Sequence, residues 1–420
     1  MKITMVTWGS TGDIVPFIAL SLGLQRVGHT VQIATNYYHQ EIVKSHGLKC
    51  VPIDLNVEDI EYPESLISHT FRTIIYQRKL LQRYKESVLP ECWRICQDTD
   101  AIIFNSDAHP IYEIVEKLGI PSYAAFAQPL QQTRAFPHLY MPCRFDLGGI
   151  YNRLSYPLFD QLSWQFFRQP LNEWRQKNLN LPALPVWSGI VRRMNQQQIP
   201  RFYIYSPSVL PKPSDWPDWH HVTGYWFLDR PTDWQPPTDL VDFLAAGAPP
   251  IYISNNMNWD VLNKEIVLKV LALTGQRIIV QSLDDEVELP DEVFNIKQWI
   301  AYDWLFPQVA TIVHHGGSGT TMNSLRDGVP TIIIPHITDQ FFWGNRIAKL
   351  GLGPTPILRR ELSAERLATG ILAAISDKKM QQRVAAMGKR IQAENGVMRA
   401  VEAFHHHLLF NQHQQNVYIA

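Results

Sequence analysis

The sequence predicts an α/β protein of two tandem domains, each built on a parallel β-sheet. Three observations support this prediction. The chain has 420 residues, which is too long for one ordinary hydrophobic core. Hydrophobic residues make up 45% of it and charged residues 18%, a composition typical of globular proteins. Short β-rich runs alternate with helical stretches in two separate blocks, and such alternation favours parallel sheets with helices on both faces.

The first block covers residues 1–126 and begins as strand, loop, helix and strand. Its first helix tolerates Pro16, because a first-turn residue needs no backbone N–H for the helix, and Gly28 ends it. The predicted strands are 3–7, 30–34, 49–53, 100–105 and 121–126, and the predicted helices are 13–27, 40–46 and 111–118.

Residues 130–237 differ from the rest of the chain because proline and tryptophan become frequent. Within them, 154–178 has a helical pattern with many aromatic residues. We place the interdomain linker at 213–240, where proline is most concentrated. The predicted domains are 1–212 and 241–395, followed by a closing segment at 396–420.

The alternation of strands and helices restarts in the second block. The predicted strands are 250–254, 277–281, 293–296, 311–314 and 331–334, and the predicted helices are 261–274, 320–327, 342–350 and 364–375.

Charge and cysteine content argue against nucleic-acid binding and against a disulfide-stabilised protein. The formal net charge is −1 and the pI about 6.9, so the chain lacks the positive field that nucleic-acid binding requires. Four cysteines in a chain of this length form no disulfide framework, which favours a reducing cytoplasm. Cys92 and Cys96 have helical spacing, and we expect buried free thiols there rather than a metal site. The remaining cysteines are Cys50 and Cys143.

The ends of the chain show no targeting segment. The N-terminal apolar run stops at Gly9, too early for a signal peptide, and no apolar stretch is long enough to span a membrane. We expect the histidine-rich sequence at 405–416 to form a polar tail rather than a metal site.

The sequence VHHGGSGTT, residues 313–321, joins a predicted strand to a predicted helix. Its three glycines would let an anion approach the backbone, and His315 and Thr320 could donate hydrogen bonds to it. The free N–H groups and the dipole of a helix start attract anions such as pyrophosphate. The motif lacks the lysine of a P-loop and does not follow the G-x-G-x-x-G pattern. We therefore predict an anion site here, with a tight strand-to-helix turn as the alternative.

A second loop, residues 9–12, has the same topology and is followed by Asp13. Aspartate often caps a helix, so by position alone a cap is the better interpretation of Asp13. Both loops follow parallel strands, and α/β sheets bind ligands at the carboxyl ends of such strands. If the two domains face each other, an interdomain cleft would have a carboxylate on one wall and an anion site on the other.

Two further stretches carry side chains suited to a ligand. Asp339 and Gln340 follow the strand at 331–334 and offer acceptors and donors for sugar hydroxyls, with a turn before the next helix as the alternative. The aromatic residues of 298–308 could stack on a base. Because aromatic residues more often lie in a core, we expect at most one of them in the site.

These motifs together resemble the GT-B nucleotide-sugar glycosyltransferases. The resemblance rests on VHHGGSGTT, GVPTIIIPHITDQFFWGNRI and the N-terminal GSTGDIVPFIALSLGLQRVGH. It is closest to the bacterial and fungal branch acting on sterols, lipids, carotenoids and glycopeptide antibiotics. It covers residues 1–55 and 296–375 and is weak over 130–240, the acceptor-facing stretch. It implies two Rossmann-like domains that clasp the donor in an interdomain cleft, with residues 376–420 returning to the first domain.

The resemblance also implies a role for each motif. Asp13 stands where this branch carries the catalytic base. His315 matches the histidine that contacts the donor pyrophosphate, and Trp299 matches the tryptophan that stacks on the base. The pair Asp339 and Gln340 matches the residues that hold the hexose hydroxyls. The other predicted donor-binding residues are Ser10, Thr11, Gly12, Gly317, Ser318, Gly319 and Thr320.

The predicted function is inverting transfer of a hexose, glucose by the resemblance, from a UDP- or dTDP-sugar to a small, largely apolar acceptor. The acceptor would be a hydroxylated sterol, lipid, carotenoid, or polyketide or phenolic natural product. We predict no metal and no cofactor besides the nucleotide sugar, because a helix dipole and a histidine would do the work of a cation. A lipid acceptor would bring peripheral membrane contact, although no basic amphipathic helix marks it in the sequence.

One turn departs from the family pattern. Family members carry a glycine-phenylalanine-glycine-serine turn after the first strand of the second domain, where this chain has Ser254-Asn255-Asn256-Met257. Two alternatives stay open, and the departure supports the first of them. One is a nucleotide-sugar-binding protein with altered or no transferase activity. The other is a nucleotide-sugar epimerase or a disaccharide-forming cell-wall transferase; a glutamate-rich catalytic set would favour the epimerase, and none stands at the motifs.

Overall fold

The computed structural model describes residues 1–54, 84–140, 147–254, 263–281, 283, 288–337 and 339–419, with side chains described up to residue 408. The chain forms two compact units. The first domain comprises Met1–Leu228 and Asn395–Ala420, and the second comprises Asp229–Glu394.

The first domain contains, among the described residues, seven strands that pair in parallel. They are β1 (Lys2–Val6), β2 (Thr30–Asn36), β3 (Lys49–Ile53), β4 (Ala101–Asn105), β5 (Ser122–Phe126), β6 (Arg201–Tyr203) and β7 (His220–Val222). Their order in the sheet is β3-β2-β1-β4-β5-β6-β7. The helices of this domain are α1 (Thr11–Arg26), α2 (Gln40–Ser45), α3 (Leu89–Cys96), α4 (Tyr112–Leu118), α5 (Gly148–Trp174) and α6 (Ile190–Gln196).

The second domain has, in its described part, five parallel strands. They are β8 (Ile251–Ser254), β9 (Ile278–Gln281), β10 (Val293–Ile296), β11 (Thr311–His314) and β12 (Thr331–Ile333), in the order β10-β9-β8-β11-β12. The helices are α7 (Thr238–Ala245), α8 (Lys264–Thr274), α9 (Tyr302–Leu305), α10 (Ser318–Arg326), α11 (Gln340–Lys349), α12 (Ala364–Ser376) and α13 (Lys378–Gln392). A last helix, α14 (Gly396–Ile419), belongs to the first domain.

Each sheet is buried on both faces. In β8, Ile251 and Ile253 pack into one hydrophobic cluster, whereas Tyr252 between them packs into a second cluster. Successive side chains of a strand point to opposite faces, so this separation means that apolar layers cover both sides of the sheet. The predicted fold class, two parallel-sheet α/β domains, is confirmed.

Strand order places a ligand-binding position in each domain. In the first sheet β1 lies between β2 and β4, and in the second β8 lies between β9 and β11. Starting from each of these strands, the chain therefore adds neighbouring strands first on one side and later on the other. Connections then leave a crevice at the carboxyl ends of the strands where the order reverses. The loops after β1 and β11, both singled out by the sequence, begin at these two crevices.

Helix α14 packs into the core of the first domain. Phe404 is fully buried there, and the hydroxyl of Tyr123 donates a hydrogen bond to its carbonyl at 3.2 Å. The Nε2 atoms of His29 and His405 lie 2.8 Å apart, which joins the helix to the loop before β2. The expectation of a polar tail is therefore wrong for residues 405–408, because aromatic and leucine side chains on the same helix anchor this segment.

The region predicted as a linker contains sheet structure. Residues 220–222 form β7 at the edge of the first sheet, and the two units meet between Leu228 and Asp229. Neither β6 nor β7 was predicted. Each has three residues, too few to show the alternation that identifies a strand in a sequence.

No helix in the described residues is long and apolar enough to cross a bilayer.

Candidate functional site

The loop after β1 requires glycine at position 9. Gly9 has a φ of +130°, which L side chains rarely adopt. A Cβ atom there would lie 2.5 Å from Oδ2 of Asp13. The close approach means that the Asp13 carboxylate lies directly against the backbone of this loop.

Side chains from neighbouring strand ends hold the loop in place. Asn36, at the end of β2, accepts a hydrogen bond from the Gly9 N–H at 3.3 Å, and Asn105, at the end of β4, donates one to the Trp8 carbonyl at 2.8 Å. The Nε2 of buried His39 lies 3.1 Å from the Gly9 carbonyl and must donate to it. Burial lowers the pKa of His39, so the ring is neutral at neutral pH. The loop is therefore a fixed surface rather than a flexible connection.

Asp13 has a structural role at the start of α1. Its Oδ2 accepts hydrogen bonds from the N–H and the hydroxyl of Ser10, both at 2.8 Å. Ser10 is the N-cap, and Asp13 stands three residues later and reaches back to it, as in a capping box. The interpretation of Asp13 as the helix cap is therefore wrong, because Ser10 occupies the cap and Asp13 supports it from the first turn of the helix. The carboxylate of Asp13 is half-buried. Its catalytic role stays a prediction, because these structural contacts do not test it.

A large cavity opens beside this loop, within the first domain. Its volume is about 1000 Å³, at the upper end of the range for small-molecule sites. Trp8, Gly9, Ser106, Asp107 and His109 line it where β1 and β4 end. Because the Asp13 carboxylate lies against Gly9, a ligand in the cavity would come close to that carboxylate.

The far wall of the cavity is mostly apolar and comes from α5 and the segment before α6. Its lining residues include Leu158, Trp164, Phe167, Trp187 and Ile190. The cavity therefore has a polar end, at the carboxyl ends of the strands, and a helical wall in which apolar residues outnumber polar ones such as Gln161, Arg192 and Asn195. An amphipathic molecule with one hydroxyl at its end fits this distribution.

His138 is a buried, neutral side chain in the cavity wall. Its ring stacks on Phe159 with centroids 4.1 Å apart and meets Tyr156 edge-on at 5.1 Å. Burial lowers its pKa from 6.5 to about 3. The folded protein therefore keeps this ring neutral under mildly acidic conditions that protonate it in the unfolded chain.

We expect acidification to destabilise the protein partly through His138. Between its unfolded and folded pKa values the unfolded chain binds more protons, so stability is complete above the higher value and falls as the pH drops. At about pH 5 this one residue costs about 2 kcal/mol. Urea unfolding near pH 7 and pH 5 should show a smaller loss in His138→Phe than in the wild type. An unchanged loss in this variant would contradict the assignment.

In the second domain, the loop after β11 also depends on glycine. Gly316 has a φ of +92°, and a Cβ there would lie 2.7 Å from the Ile333 side chain. The N–H of Gly316 donates to Nδ1 of His314 at 3.0 Å. His314 is fully buried, and burial holds its pKa well below the usual value. We conclude that His314 is structural and shapes the turn.

His315 lies over the start of α10. Gly317 is the N-cap of this helix, and a Cβ on it would overlap Nε2 of His315. The first helical bond is donated by Thr321 to the Gly317 carbonyl at 3.0 Å, so the three preceding N–H groups point out of the helix end. Burial, and secondarily His336, lowers the pKa of His315 to about 4. The neutral imidazole of His315 and the start of α10 thus lie beside each other, and an anion is favoured at this place.

The remaining predicted donor residues differ in exposure. Gln340 is buried, and its Oε1 accepts hydrogen bonds from the N–H groups of His336 and Ile337 at 2.8 and 3.1 Å, so it also supports the loop. Asp339 is the residue that precedes α11. Trp299 is 55% exposed and meets Trp234 edge-on at 6.1 Å, which leaves a ring face accessible to solvent.

Of the other three aromatic residues at 298–308, Phe306 is buried, whereas Tyr302 and Trp304 are half-buried. Tyr302 stacks on Phe306 with centroids 4.4 Å apart, and Trp304 packs on the same cluster. The expectation that at most one of these aromatic residues lies in the site stays a prediction.

Some sequence predictions lie outside the described residues. They concern Asn255, Asn256 and Met257 of the divergent turn, and Cys143. Cys92 and Cys96 are buried free thiols, as predicted. The described residues contain no group of three or more side chains able to hold a metal ion.

The sequence reasoning missed the residues that build the cavity. Ser106 and Asp107 follow β4 directly, and polar residues after a buried strand are a recognisable signal at a sheet edge. The helical wall gave no such signal, because its aromatic residues could equally have belonged to a core.

Comparison with known proteins agrees with this two-domain architecture. The family model of the glycosyltransferase family 28 N-terminal domain matches residues 3–137. The model of the erythromycin biosynthesis protein CIII-like C-terminal domain matches residues 263–398. The first match lies in the first domain, and the second lies in the second domain except for residues 395–398.

The chain is similar to fungal sterol 3-beta-glucosyltransferases. The enzyme of Sclerotinia sclerotiorum is 35% identical over 426 residues, covering 96% of this chain and 29% of the relative. That of Debaryomyces hansenii is 35% identical over 432 residues, covering 97% and 27%. The chain thus spans less than a third of the length of these curated relatives.

Solved glycosyltransferases share the fold. The glycotransferase of kitacinnamycin superimposes with a TM-score of 0.69 at 19% identity, covering 96% of this chain and 97% of the other. The glycosyltransferase VinC, solved in complex with DTDP, gives 0.61 at 16% identity, with 97% and 100% covered. Fold, domain order and sequence similarity agree: the chain has the two-domain fold of these solved glycosyltransferases, with a match to the family 28 N-terminal domain followed by a match to the CIII-like C-terminal domain.

Proposed function

We propose that this chain transfers a hexose, glucose in the first instance, from a UDP- or dTDP-sugar to the hydroxyl of a sterol-like acceptor. The observation that carries the proposal is the start of α10, where His315 lies over Gly317 beside three outward-pointing N–H groups. This arrangement suits the diphosphate of a nucleotide sugar. The name of the related fungal enzymes supports both glucose and a sterol acceptor.

On the donor side, the start of α10 would bind the diphosphate and stabilise the charge that develops as it leaves. Because His315 is neutral, it contributes a directed N–H hydrogen bond rather than a full positive charge. The helix dipole adds to the same effect, so the proposed step needs no metal ion. Ser318, Gly319 and Thr320 supply the backbone N–H groups, and Trp299 offers its exposed face to the base. Asp339 would hold hexose hydroxyls together with Gln340, and the nucleotide is UDP or dTDP.

On the acceptor side, the cavity of the first domain supports an apolar molecule with one terminal hydroxyl. Its helical wall would hold the hydrocarbon body, and its polar end would receive the hydroxyl near Asp13. A volume of about 1000 Å³ accommodates a rigid polycyclic lipid.

Free thiols at Cys50, Cys92 and Cys96 support the predicted cytoplasmic, reducing environment.

The proposed reaction is a direct displacement. Asp13 accepts the proton of the acceptor hydroxyl as its oxygen forms a bond to the anomeric carbon. The bond between that carbon and the diphosphate oxygen breaks in the same step, and the nucleoside diphosphate leaves with its charge stabilised by His315 and the start of α10. A single displacement inverts the anomeric centre, so an α-linked donor gives a β-glycoside.

The direct test measures nucleoside diphosphate release by the purified chain with UDP-glucose or dTDP-glucose and a panel of sterols, hydroxylated lipids and phenols. We expect release that depends on an apolar hydroxylated acceptor, and a β-glycoside by NMR. Conversion of the sugar nucleotide without acceptor would instead identify an epimerase. Donor binding without turnover, across the whole panel, would identify a binding protein.

A further inference from the structure

Helix α5 exposes a continuous row of large apolar side chains. The row consists of Ile150, Leu154, Leu158, Leu162 and Phe166, and we refer to it as the apolar stripe. Residues four apart in a helix are neighbours on its surface, each about 40° further around the axis, so these side chains form a continuous row that runs obliquely along about 24 Å of the helix, with Leu154, Leu158 and Leu162 at its centre. Ile150, the first residue of the row, is 76% exposed. Single exposed apolar residues are common, but a contiguous row of this length marks a contact surface.

Along the stripe itself, residues 147–169 expose little charge. Among the exposed residues from 147 to 169, all of which the structure describes, Arg153 carries the only charge. Asp160 on the same helix is turned away, because it accepts hydrogen bonds from the N–H groups of Val191 and Arg192. Residues 147–169 therefore expose no carboxylate that would repel an anionic surface, and the exposed carboxylate of Glu173, at the end of α5, is paired with Lys85.

Cationic and aromatic residues border the stripe. Arg134 is exposed beside the start of α5, since a Cβ on Gly149 would lie 3.2 Å from its Cβ. At the other side Trp187 is 66% exposed, and its carbonyl accepts a hydrogen bond from Nη1 of exposed Arg192 at 3.2 Å. Tryptophan and arginine at the edge of an apolar surface are typical of proteins that lie in the interface of a bilayer.

The stripe is continuous with the cavity. Leu158 and Trp187 are exposed and also line the cavity, and Arg192 lines it too. The same surface that would touch the hydrocarbon layer therefore forms the edge of the proposed acceptor site. A lipid could enter the cavity from a bilayer without crossing water, whereas a water-dissolved acceptor would need no such surface.

We propose that the apolar stripe docks on the surface of a lipid bilayer containing anionic head groups, and that the acceptor enters the cavity from that bilayer. This inference rests on the proposed apolar acceptor. Insertion of the leucine side chains supplies the apolar contact, and Arg134, Arg153 and Arg192 contact the head groups. A second copy of the chain fits the stripe less well, because a symmetric contact would bring the same arginines together.

The test is vesicle flotation of the purified full chain. We expect it to float with phosphatidylcholine vesicles that contain about one-fifth phosphatidylserine, and to float less at high salt. The double variant Leu154→Glu/Leu162→Glu places two carboxylates on the stripe at positions that do not line the cavity. It should lose membrane binding by about tenfold or more.

The matched control is Leu273→Glu/Leu372→Glu, which makes the same change at two exposed leucines of α8 and α12 in the second domain. It should float like the wild type. Failure of the wild type to float, or equal flotation of the stripe variant, would overturn the proposal. So would a wild-type dimer in lipid-free solution that the stripe variant converts to a monomer.

A second measurement separates this inference from the proposed function. Nucleotide release with detergent-dispersed acceptor should be the same in the stripe variant and the wild type, and only release with vesicle-embedded acceptor should fall. Absence of release in every format with intact flotation would reject the transferase function but leave the docking surface standing. Equal release from vesicles in both proteins would reject bilayer entry.

Discussion

Replacing Asp13 with asparagine should lower kcat by about 10²- to 10⁴-fold, the usual contribution of a positioned general base. Asparagine keeps an oxygen that can accept the hydrogen bonds from Ser10, so the start of α1 should remain intact. The change therefore removes the proton acceptor while leaving the fold in place. Steady-state kinetics and calorimetric titration of the nucleotide sugar would show a loss in kcat with donor affinity little changed.

The matched control for this experiment is Asp377→Asn. Asp377 also stands at a helix start, where its carboxylate accepts hydrogen bonds from the N–H groups of Lys379 and Met380 at 2.9 and 3.0 Å. The same isosteric change there should leave kcat unaltered. Full activity of Asp13→Asn would remove Asp13 from the role of base and leave it with only its bonds to Ser10.

His315→Ala should lower kcat by about 10²- to 10³-fold, because one directed donor to the departing diphosphate is lost. Gly317→Ala should produce a similar defect although the histidine is still present. The new methyl group would occupy the position of Nε2 and force the ring away from the start of α10. Agreement between the two variants would show that the placement of the imidazole, and not merely its presence, matters for activity.

Gly370→Ala provides the control for the glycine change. A Cβ at this position in α12 would meet Ile357 and Ile332 at 3.7 and 3.8 Å, which is ordinary contact. Alanine also favours a helix over glycine by about 1 kcal/mol, so the control should be active and slightly more stable. Wild-type kcat in Gly317→Ala would contradict the proposed position of the ring, and wild-type kcat in His315→Ala would reject its role.

Local patterns in the sequence were enough to predict the fold class and the two loops that the structure places at the crevices. Alternation of β-rich and helical runs indicates parallel sheets whatever the details of packing. Glycine after a strand indicates a backbone conformation or a close approach that other residues cannot provide, as Gly9 and Gly316 show. Each of these signals is formed by residues that are close together in the chain. A single sequence is therefore enough to show it.

Features that depend on contacts between distant segments were not predicted. β6 and β7 are too short to show a period, and they became strands because their neighbours offered free edges. Asn36 and Asn105 are 69 positions apart by their numbers yet hold the same loop, which only sheet order brings about. The same applies to the histidine pair between His29 and His405.

Helix α5 shows the limit most clearly. Its sequence predicts a helix with many aromatic residues, and helical spacing shows which of them share a face. Spacing does not show whether a face meets protein, a cavity or solvent, because that depends on what other segments cover. The sequence by itself determined the two parallel-sheet domains and the loops suited to a nucleotide sugar. Only the tertiary structure decided that one face of α5 borders the cavity and that another is left exposed, since both result from packing between segments far apart in the chain.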